Sequence, residues 1–341
     1  MLANSWNDIV GHDWAKELLA GAIVYGRVGH AYLLSGPAQV GKTMLARTFA
    51  QALNCLADDV AARPCGVCRS CQLIAADRHP DVRLVEPDTT GRGTAVLRID
   101  QIRQLQQDLS LSAYEGRYKV AIVTQFDAAN INAANAFLKT LEEPPPGVVL
   151  LLTAVSADTL LETITSRCRT VALRPLPAAQ ISESLQTRWH VPAEQATLLA
   201  HLADGRLGWA INAFQDKTIL QLRGQQLGQL WEGINGRRVE RFALADKLSR
   251  QSEGIVPTLQ TWLSWWRDLL VLAQHKGSDR TPPVTNFDEL EQLRALTAVW
   301  PRPHILRSLQ HTNSAIWQIQ RNANTRLVLE NLFLTYPYRS N

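Results

Sequence analysis

Short apolar runs alternate with amphipathic segments along the first half of the chain. The apolar runs suit buried strands and cover residues 30–35, 82–86, 118–124, 148–153 and 170–173. Apolar residues recur with helical spacing within residues 6–29, 44–53, 99–109 and 131–143. Strands that alternate with helices predict an α/β fold, in which a parallel sheet is covered by helices on both faces.

Two of these helices have predicted core stripes that the structure can test. In the first helix the stripe includes the adjacent residues Leu18 and Leu19, and in the last helix it begins at Ile131 and continues through Ala134 and Leu141. Two further segments are predicted loops, TTGRG at 89–93 and GSDRTPP at 277–283.

Prolines separate this α/β half from a helical remainder. Pro175 and Pro177 mark the first boundary, and the pattern is helical from there to the end. A chain of 341 residues exceeds an ordinary single core, so we expect several domains. The predicted division is 1–175, 176–216 and 217–341. Trp262, Trp265 and Trp266 are interpreted as core of the last domain rather than a base-stacking platform, because few basic residues are interleaved with them.

Composition narrows the class of protein. The hydrophobic content of 46% supports globular domains, and no apolar run approaches the roughly 18 residues of a membrane helix. The first residues lack a basic-then-apolar signal, so we expect a soluble, cytoplasmic protein without a membrane partner. A net charge of +4 is too small to indicate a nucleic-acid surface.

Residues 36–43 (GPAQVGKT) fit the phosphate-binding pattern G-x-x-x-x-G-K-[ST] and lie between a predicted strand and a predicted helix. Gly36 and Gly41 allow backbone N–H groups to turn toward a phosphate at the helix N-terminus. Lys42 would reach the terminal phosphates, and the Thr43 hydroxyl would bind Mg²⁺. The sequence therefore predicts a site for ATP or ADP with Mg²⁺.

Four of the five cysteines are close together in the sequence. Cys55, Cys65, Cys68 and Cys71 follow the spacing C-x9-C-x2-C-x2-C, which suits four thiolates around one ion. We interpret residues 55–71 as an insert held by a structural Zn²⁺. An iron–sulfur cluster and thiols without metal are the alternatives. Cys168 lies apart and is interpreted as a small buried residue.

Several motifs together carry a family resemblance. The glycine loop, the four cysteines, NAFLKTLEEPPPG at 135–147, SRC at 166–168 and NANTRLVLENLFL at 322–334 resemble the bacterial clamp-loader AAA+ subunits of the DNA polymerase III holoenzyme. The resemblance covers nearly the whole chain. It implies an α/β AAA+ P-loop module, a small helical lid and an all-helical collar that holds subunits in a ring. The implied partners are the motor (gamma/tau) and delta subunits and, through the assembly, a sliding clamp and primed DNA.

The resemblance also indicates what is missing. Motor subunits carry Asp-Glu at the end of the strand that here ends in Thr124 and Gln125, and neither residue can hold Mg²⁺ by charge or activate water. Asp127 is a possible substitute two residues further on. In the lid, Arg206 is two positions earlier than the sensor arginine of the motor subunits.

One catalytic feature of the family is retained. Arg167, in SRC, is implied to act in trans as an arginine finger in a neighbouring subunit's ATP site. The alternative is that Arg167 pairs with a carboxylate at the edge of its own domain. We therefore expect the non-hydrolysing stator of a clamp loader, with no ATPase activity alone. The other hypotheses are a gamma/tau-like motor that uses Asp127 and a zinc-bearing nucleic-acid-binding module on the same scaffold.

Overall fold

The computed structural model describes residues 5–89, 95–251, 255–275 and 282–337. Its chain forms two compact units: Met1–Gln180 with Gly205–Trp209, and Ile181–Asp204 with Ala210–Asn341. Residues 90–93 and 277–281 of the two predicted loops lie outside the described residues. The division into three domains remains a prediction.

The first unit is built on a five-stranded parallel sheet. The strands, in chain order, are β1 Ala31–Ser35, β2 Val82–Val85, β3 Asp88–Thr89, β4 Ala95–Val96, β5 Lys119–Val123, β6 Val148–Ala154 and β7 Arg169–Ala172. The sheet order is β2-β5-β6-β1-β7, and β3 pairs with β4 in a separate antiparallel hairpin. Because all five sheet strands are parallel, the ends of β1, β5 and β6 meet at one edge.

The helices occupy most of the remaining chain. They are α1 Asp13–Val24, α2 Lys42–Asn54, α3 Arg69–Ala75, α4 Ile99–Ser110, α5 Ile131–Glu142, α6 Glu162–Thr165, α7 Ala178–Trp189, α8 Ala193–Leu202, α9 Leu207–Gln215, α10 Thr218–Asn235, α11 Arg238–Ser249, α12 Ile255–Gln274, α13 Leu290–Val299, α14 Arg302–Gln320 and α15 Thr325–Thr335. None of those in the described ranges is long and apolar enough to cross a bilayer.

Alternate residues of the sheet enter two different cores. In β1, Tyr32 packs with α1 and α2 on one face, whereas Leu33 packs with α4 and α5 on the other. This alternation follows from the two-residue period of a strand. The predicted α/β class, with helices on both faces, is therefore confirmed.

Two residues of the predicted stripes are not buried. Leu18 is 44% exposed although Leu19 is fully buried, because adjacent helical residues point about 100° apart. Ile131 is 73% exposed, and Phe137 contributes to the buried face of α5 instead. Phe137 packs on Phe126 with ring centroids 5.5 Å apart, which sets the face that α5 turns inward.

The second unit has a helical core rich in tryptophan. Trp262, Trp265 and Trp266 on α12 are fully buried, and the last two rings pack edge to face at 5.0 Å. Their interpretation as core is confirmed. Arg241 is also buried here and donates hydrogen bonds to the carbonyl oxygens of Ile234 and Phe333, at the ends of α10 and α15.

Candidate functional site: a glycine loop, a cysteine cluster and an arginine at a helix end

The glycine loop joins β1 to α2 as predicted, and its backbone requires glycine. Gly36 has φ 145° and Gly41 has φ 112°, a region that other residues rarely adopt. A Cβ on Gly36 would lie 2.4 Å from the carbonyl oxygen of Leu173. Gly41 caps α2, whose first residues are Lys42 and Thr43. The loop therefore presents the N-terminus of a 13-residue helix, which favours an anion.

Lys42 is folded back on the loop. Its Nζ donates to the carbonyl oxygens of Gly36, at 2.5 Å, and Pro37, at 2.7 Å. Burial lowers the pKa of Lys42, and the carboxylate of Asp127 opposes that shift. Electrostatically, Asp127 is thus within reach of the lysine of the glycine loop.

Two distant segments hold the loop from outside, and sequence analysis missed both contacts. His12 Nε2 lies 3.1 Å from the carbonyl oxygen of Val40. The backbone N–H of Gly208 donates to the carbonyl oxygen of Gln39 at 3.0 Å. A Cβ on Gly208 would lie 2.8 Å from the same Gln39 oxygen. The closely spaced Gly205 and Gly208 were the available signal. Between them, the Arg206 guanidinium lies 5.8 Å from the centroid of the Trp209 ring.

The end of β5 supplies no carboxylate at Thr124 or Gln125. Thr124 is buried and its hydroxyl donates to the carbonyl oxygen of Val85 at 3.4 Å. Gln125 has φ 48°, and its backbone N–H donates to the Thr153 hydroxyl at 3.0 Å. Asp127 follows in the 3-10 turn Phe126–Ala128, beyond the strand, and its side chain is exposed.

The structure brings the four predicted cysteines together. The Sγ atoms of Cys55, Cys65, Cys68 and Cys71 all lie within 4.8 Å of one another. Tetrahedral thiolates with a metal–sulfur distance of about 2.3 Å would be roughly 3.8 Å apart, so a small contraction closes the site on one ion. The cluster could therefore hold a metal.

Backbone N–H groups support the sulfur atoms. The N–H of Cys65 donates to Cys55 Sγ at 3.3 Å, and that of Cys68 donates to Cys65 Sγ at 3.4 Å. Burial raises the pKa of Cys71. Burial also acts to raise the pKa of Cys65, but hydrogen bonds from the backbone of Cys68 and Val67 outweigh it and bring that pKa to about 7. The lowered pKa makes the Cys65 thiol easier to deprotonate for metal binding.

Arg167 lies just beyond α6 and contacts the C-terminus of α5. Its Nη2 is 2.6 Å from Glu142 Oε1, and its Nη1 donates to the carbonyl oxygen of Thr163 at 2.8 Å and to the Ser166 hydroxyl at 3.3 Å. The intrachain pairing considered as an alternative is thus present. Burial raises the pKa of the neighbouring Cys168 to about 12.

In comparisons with known proteins, the chain is similar to subunits of DNA polymerase III. A family model described as DNA polymerase III, delta subunit matches residues 11–177. The chain is 37% identical over 259 residues to DNA polymerase III subunit delta' of Pseudomonas aeruginosa, covering 75% of each chain. It is 35% identical over 235 residues to DNA polymerase III subunit tau of Salmonella typhimurium, covering 66% of this chain and 35% of tau.

Among solved structures, the chain is similar to a DNA polymerase III gamma subunit-related protein of Thermotoga maritima. The identity is 19% and the TM-score is 0.46, over 94% of this chain and 97% of that one. The family rests instead on the delta' relative, which matches at 37% identity over three quarters of its length. The chain belongs to the DNA polymerase III delta' family.

Proposed function

We propose that this chain is the stator of a sliding-clamp loader: it joins motor and delta subunits in a ring without hydrolysing ATP itself. The observation that carries the proposal is the combination of a complete glycine loop with a strand end that offers only Thr124 and Gln125. Both of these residues are engaged by neighbouring strands through the Thr124 hydroxyl and the Gln125 backbone. Phosphoryl transfer needs Mg²⁺ held by carboxylate and a positioned water, and neither residue supplies a carboxylate.

ATP or ADP with Mg²⁺ would bind at Gly36, Gly41, Lys42 and Thr43 as a structural ligand. Lys42 would have to leave the two loop carbonyls and turn to the phosphates, a change within one side chain. Steady-state ATPase of the isolated chain, wild type beside Lys42→Ala, tests this part. We expect equal, near-background rates from both, together with weaker nucleotide binding by the variant. Appreciable turnover that depends on Lys42 would contradict the proposal.

The cysteine cluster would hold one structural Zn²⁺. Four thiolate ligands leave no open coordination position, and the 4.8 Å span suits a single ion better than a multi-iron cluster. The ion would staple an insert whose own helix, α3, has only seven residues. Metal analysis of the purified chain tests this: one zinc per chain is expected, and iron with bound sulfide would overturn it.

Arg167 would act in trans on the ATP of a neighbouring motor subunit. Its side chain is 34% exposed, so part of the guanidinium can reach an approaching anion. The test is reconstitution with a motor subunit whose own finger arginine is replaced by alanine, so that stimulated ATPase depends on this chain. Loss of the stimulation in Arg167→Ala is expected, and unchanged stimulation would refute the finger role.

A gamma/tau-like motor is the second candidate, because Asp127 influences Lys42 electrostatically. In that case the isolated chain would hydrolyse ATP, and Asp127→Ala would abolish the activity. Asp127 is exposed in a 3-10 turn rather than placed at the strand end, which favours the stator.

A further inference from the structure

We propose that Glu142 is a positioning residue for Arg167, holding the guanidinium in place before a neighbouring subunit arrives. The proposal rests on the finger role of Arg167 given above. It starts from the 2.6 Å contact between Arg167 Nη2 and Glu142 Oε1, which joins the ends of two different helices, α6 and α5.

The place of Glu142 is unfavourable for its own helix. Glu142 is the last residue of α5, where the partial negative charge of the helix end disfavours a carboxylate. A cation nearby compensates: Lys139 lies in the last turn of α5, and Arg167 is the cation in direct contact with Glu142. The stability of α5 therefore does not explain why a carboxylate stands at position 142, whereas a role in holding Arg167 does.

These contacts orient the guanidinium of Arg167 but leave some of its N–H donors free to bind a ligand. Nη1 donates to the Thr163 carbonyl and the Ser166 hydroxyl, and Nη2 forms an ion pair with Glu142 at 2.6 Å. Within the described residues, Nε–H has no hydrogen-bond partner. An arginine offers five donors in a rigid fork, so donors of Nε and Nη2 remain for the oxygens of a phosphate.

Preorganisation is the expected benefit. An arginine that is already held loses less side-chain freedom when it meets the transition state. Because Arg167 would act on charge that develops during transfer, losing its orientation should lower kcat and leave KM for ATP unchanged. The two contacts to Nη1 remain in a Glu142 variant, so the loss is smaller than on removal of the arginine.

The test uses the reconstituted complex with the finger-less motor subunit. Glu142→Gln is expected to lower stimulated kcat about 5- to 10-fold, against about 1000-fold for Arg167→Ala. Glu143→Gln is the matched control, because it makes the same change at the next residue, which is also exposed. It should leave kcat unchanged. Glu142→Asp should restore part of the rate, since it keeps the charge on a shorter side chain.

Combining the variants separates this proposal from the finger role. In an Arg167→Ala background, Glu142→Gln should have no further effect. If Arg167→Ala leaves the stimulation intact, the proposed function fails. If Arg167→Ala abolishes it but Glu142→Gln matches wild type or the Glu143→Gln control, only the positioning role fails. A Glu142→Gln loss that persists without Arg167, or that comes with lower thermal stability or weaker assembly, would also overturn the positioning role.

Discussion

The glycines of α10 provide a prediction whose sign depends on position within one helix. Gly228 and Gly233 both lie inside Thr218–Asn235, where glycine is about 1 kcal/mol less favourable than alanine. A Cβ on Gly228 would meet nothing within 4 Å, whereas a Cβ on Gly233 would lie 2.3 Å from Cε1 of Phe333. The same substitution therefore fills open space at one site and overlaps an aromatic ring at the other.

The magnitude follows from how firmly Phe333 is held. Its ring is fully buried and packs against Trp262 and Tyr336, with centroids 5.7 and 5.9 Å away. It cannot move aside without disturbing the core, and overpacking of this kind costs about 1–3 kcal/mol. Gly228→Ala should thus raise the free energy of unfolding by about 0.5–1 kcal/mol. The free energy of unfolding of Gly233→Ala should be about 1–3 kcal/mol lower than that of Gly228→Ala.

Urea unfolding followed by tryptophan fluorescence is the assay, because the buried indoles of α12 report on this unit. With an m value of about 2 kcal/mol/M, the two midpoints should differ by roughly 0.5 to 1.5 M. A second variant, Phe333→Leu, makes room for the added methyl group, so Gly233→Ala should cost less in that background. If Gly233→Ala raises the midpoint as much as Gly228→Ala does, the steric reasoning is wrong.

Three further predictions concern the metal, a buried acid and pH. With the proposed zinc in the cluster, chelation of the metal or Cys65→Ser should lower the melting temperature by several degrees in calorimetry, because the insert would lose its crosslink. Cys168→Ser, outside the cluster, should not change the metal content. Asp268→Asn should destabilise the protein by about 2 kcal/mol or more in urea titration, because the buried carboxylate of Asp268 accepts hydrogen bonds from the backbone N–H and the side-chain amide of Asn286. The control is Asp246→Asn, at a surface ion pair, which should cost under about 1 kcal/mol. Burial acts to raise the pKa of Asp81, but hydrogen bonds from the N–H groups of Tyr114, Glu115 and Gly116 lower it overall. The charge of Asp81 therefore stabilises the fold at pH 7. The difference in free energy of unfolding between wild type and Asp81→Asn, measured by urea titration, should shrink as the pH falls below about 4. A difference that stays constant down to pH 3 would refute this.

The local sequence was enough to predict the five strands of the parallel sheet and the glycine loop, but not the β3–β4 hairpin, whose residue Thr89 falls in a predicted loop. The apolar run at 148–153 agrees with β6 to within one residue, because a strand buried on both faces is apolar throughout. The glycine spacing reflects φ values that the loop needs, and the cysteine spacing reflects the curl that brings four sulfur atoms together. In these cases the residues that make the structure are neighbours in the chain.

The remainder depends on contacts between distant residues. The Gly208 contact with Gln39 joins positions far apart in the sequence, and neither residue type indicates the other. The pairing of Arg167 with Glu142 was foreseen only as pairing with some carboxylate, because the partner is fixed by how α5 and α6 pack. The prediction that Ile131 lies on the buried face of α5 was wrong for the same reason. The buried face includes Phe137, which packs against Phe126.

The two outside contacts have a consequence for the shape of the glycine loop. His12 and Gly208 form hydrogen bonds with the carbonyl groups of two adjacent residues, Val40 and Gln39, so contacts within the protein fix the curve of the loop. In the proposed stator, a loop held in this way would keep its shape while neighbouring subunits bind and hydrolyse ATP.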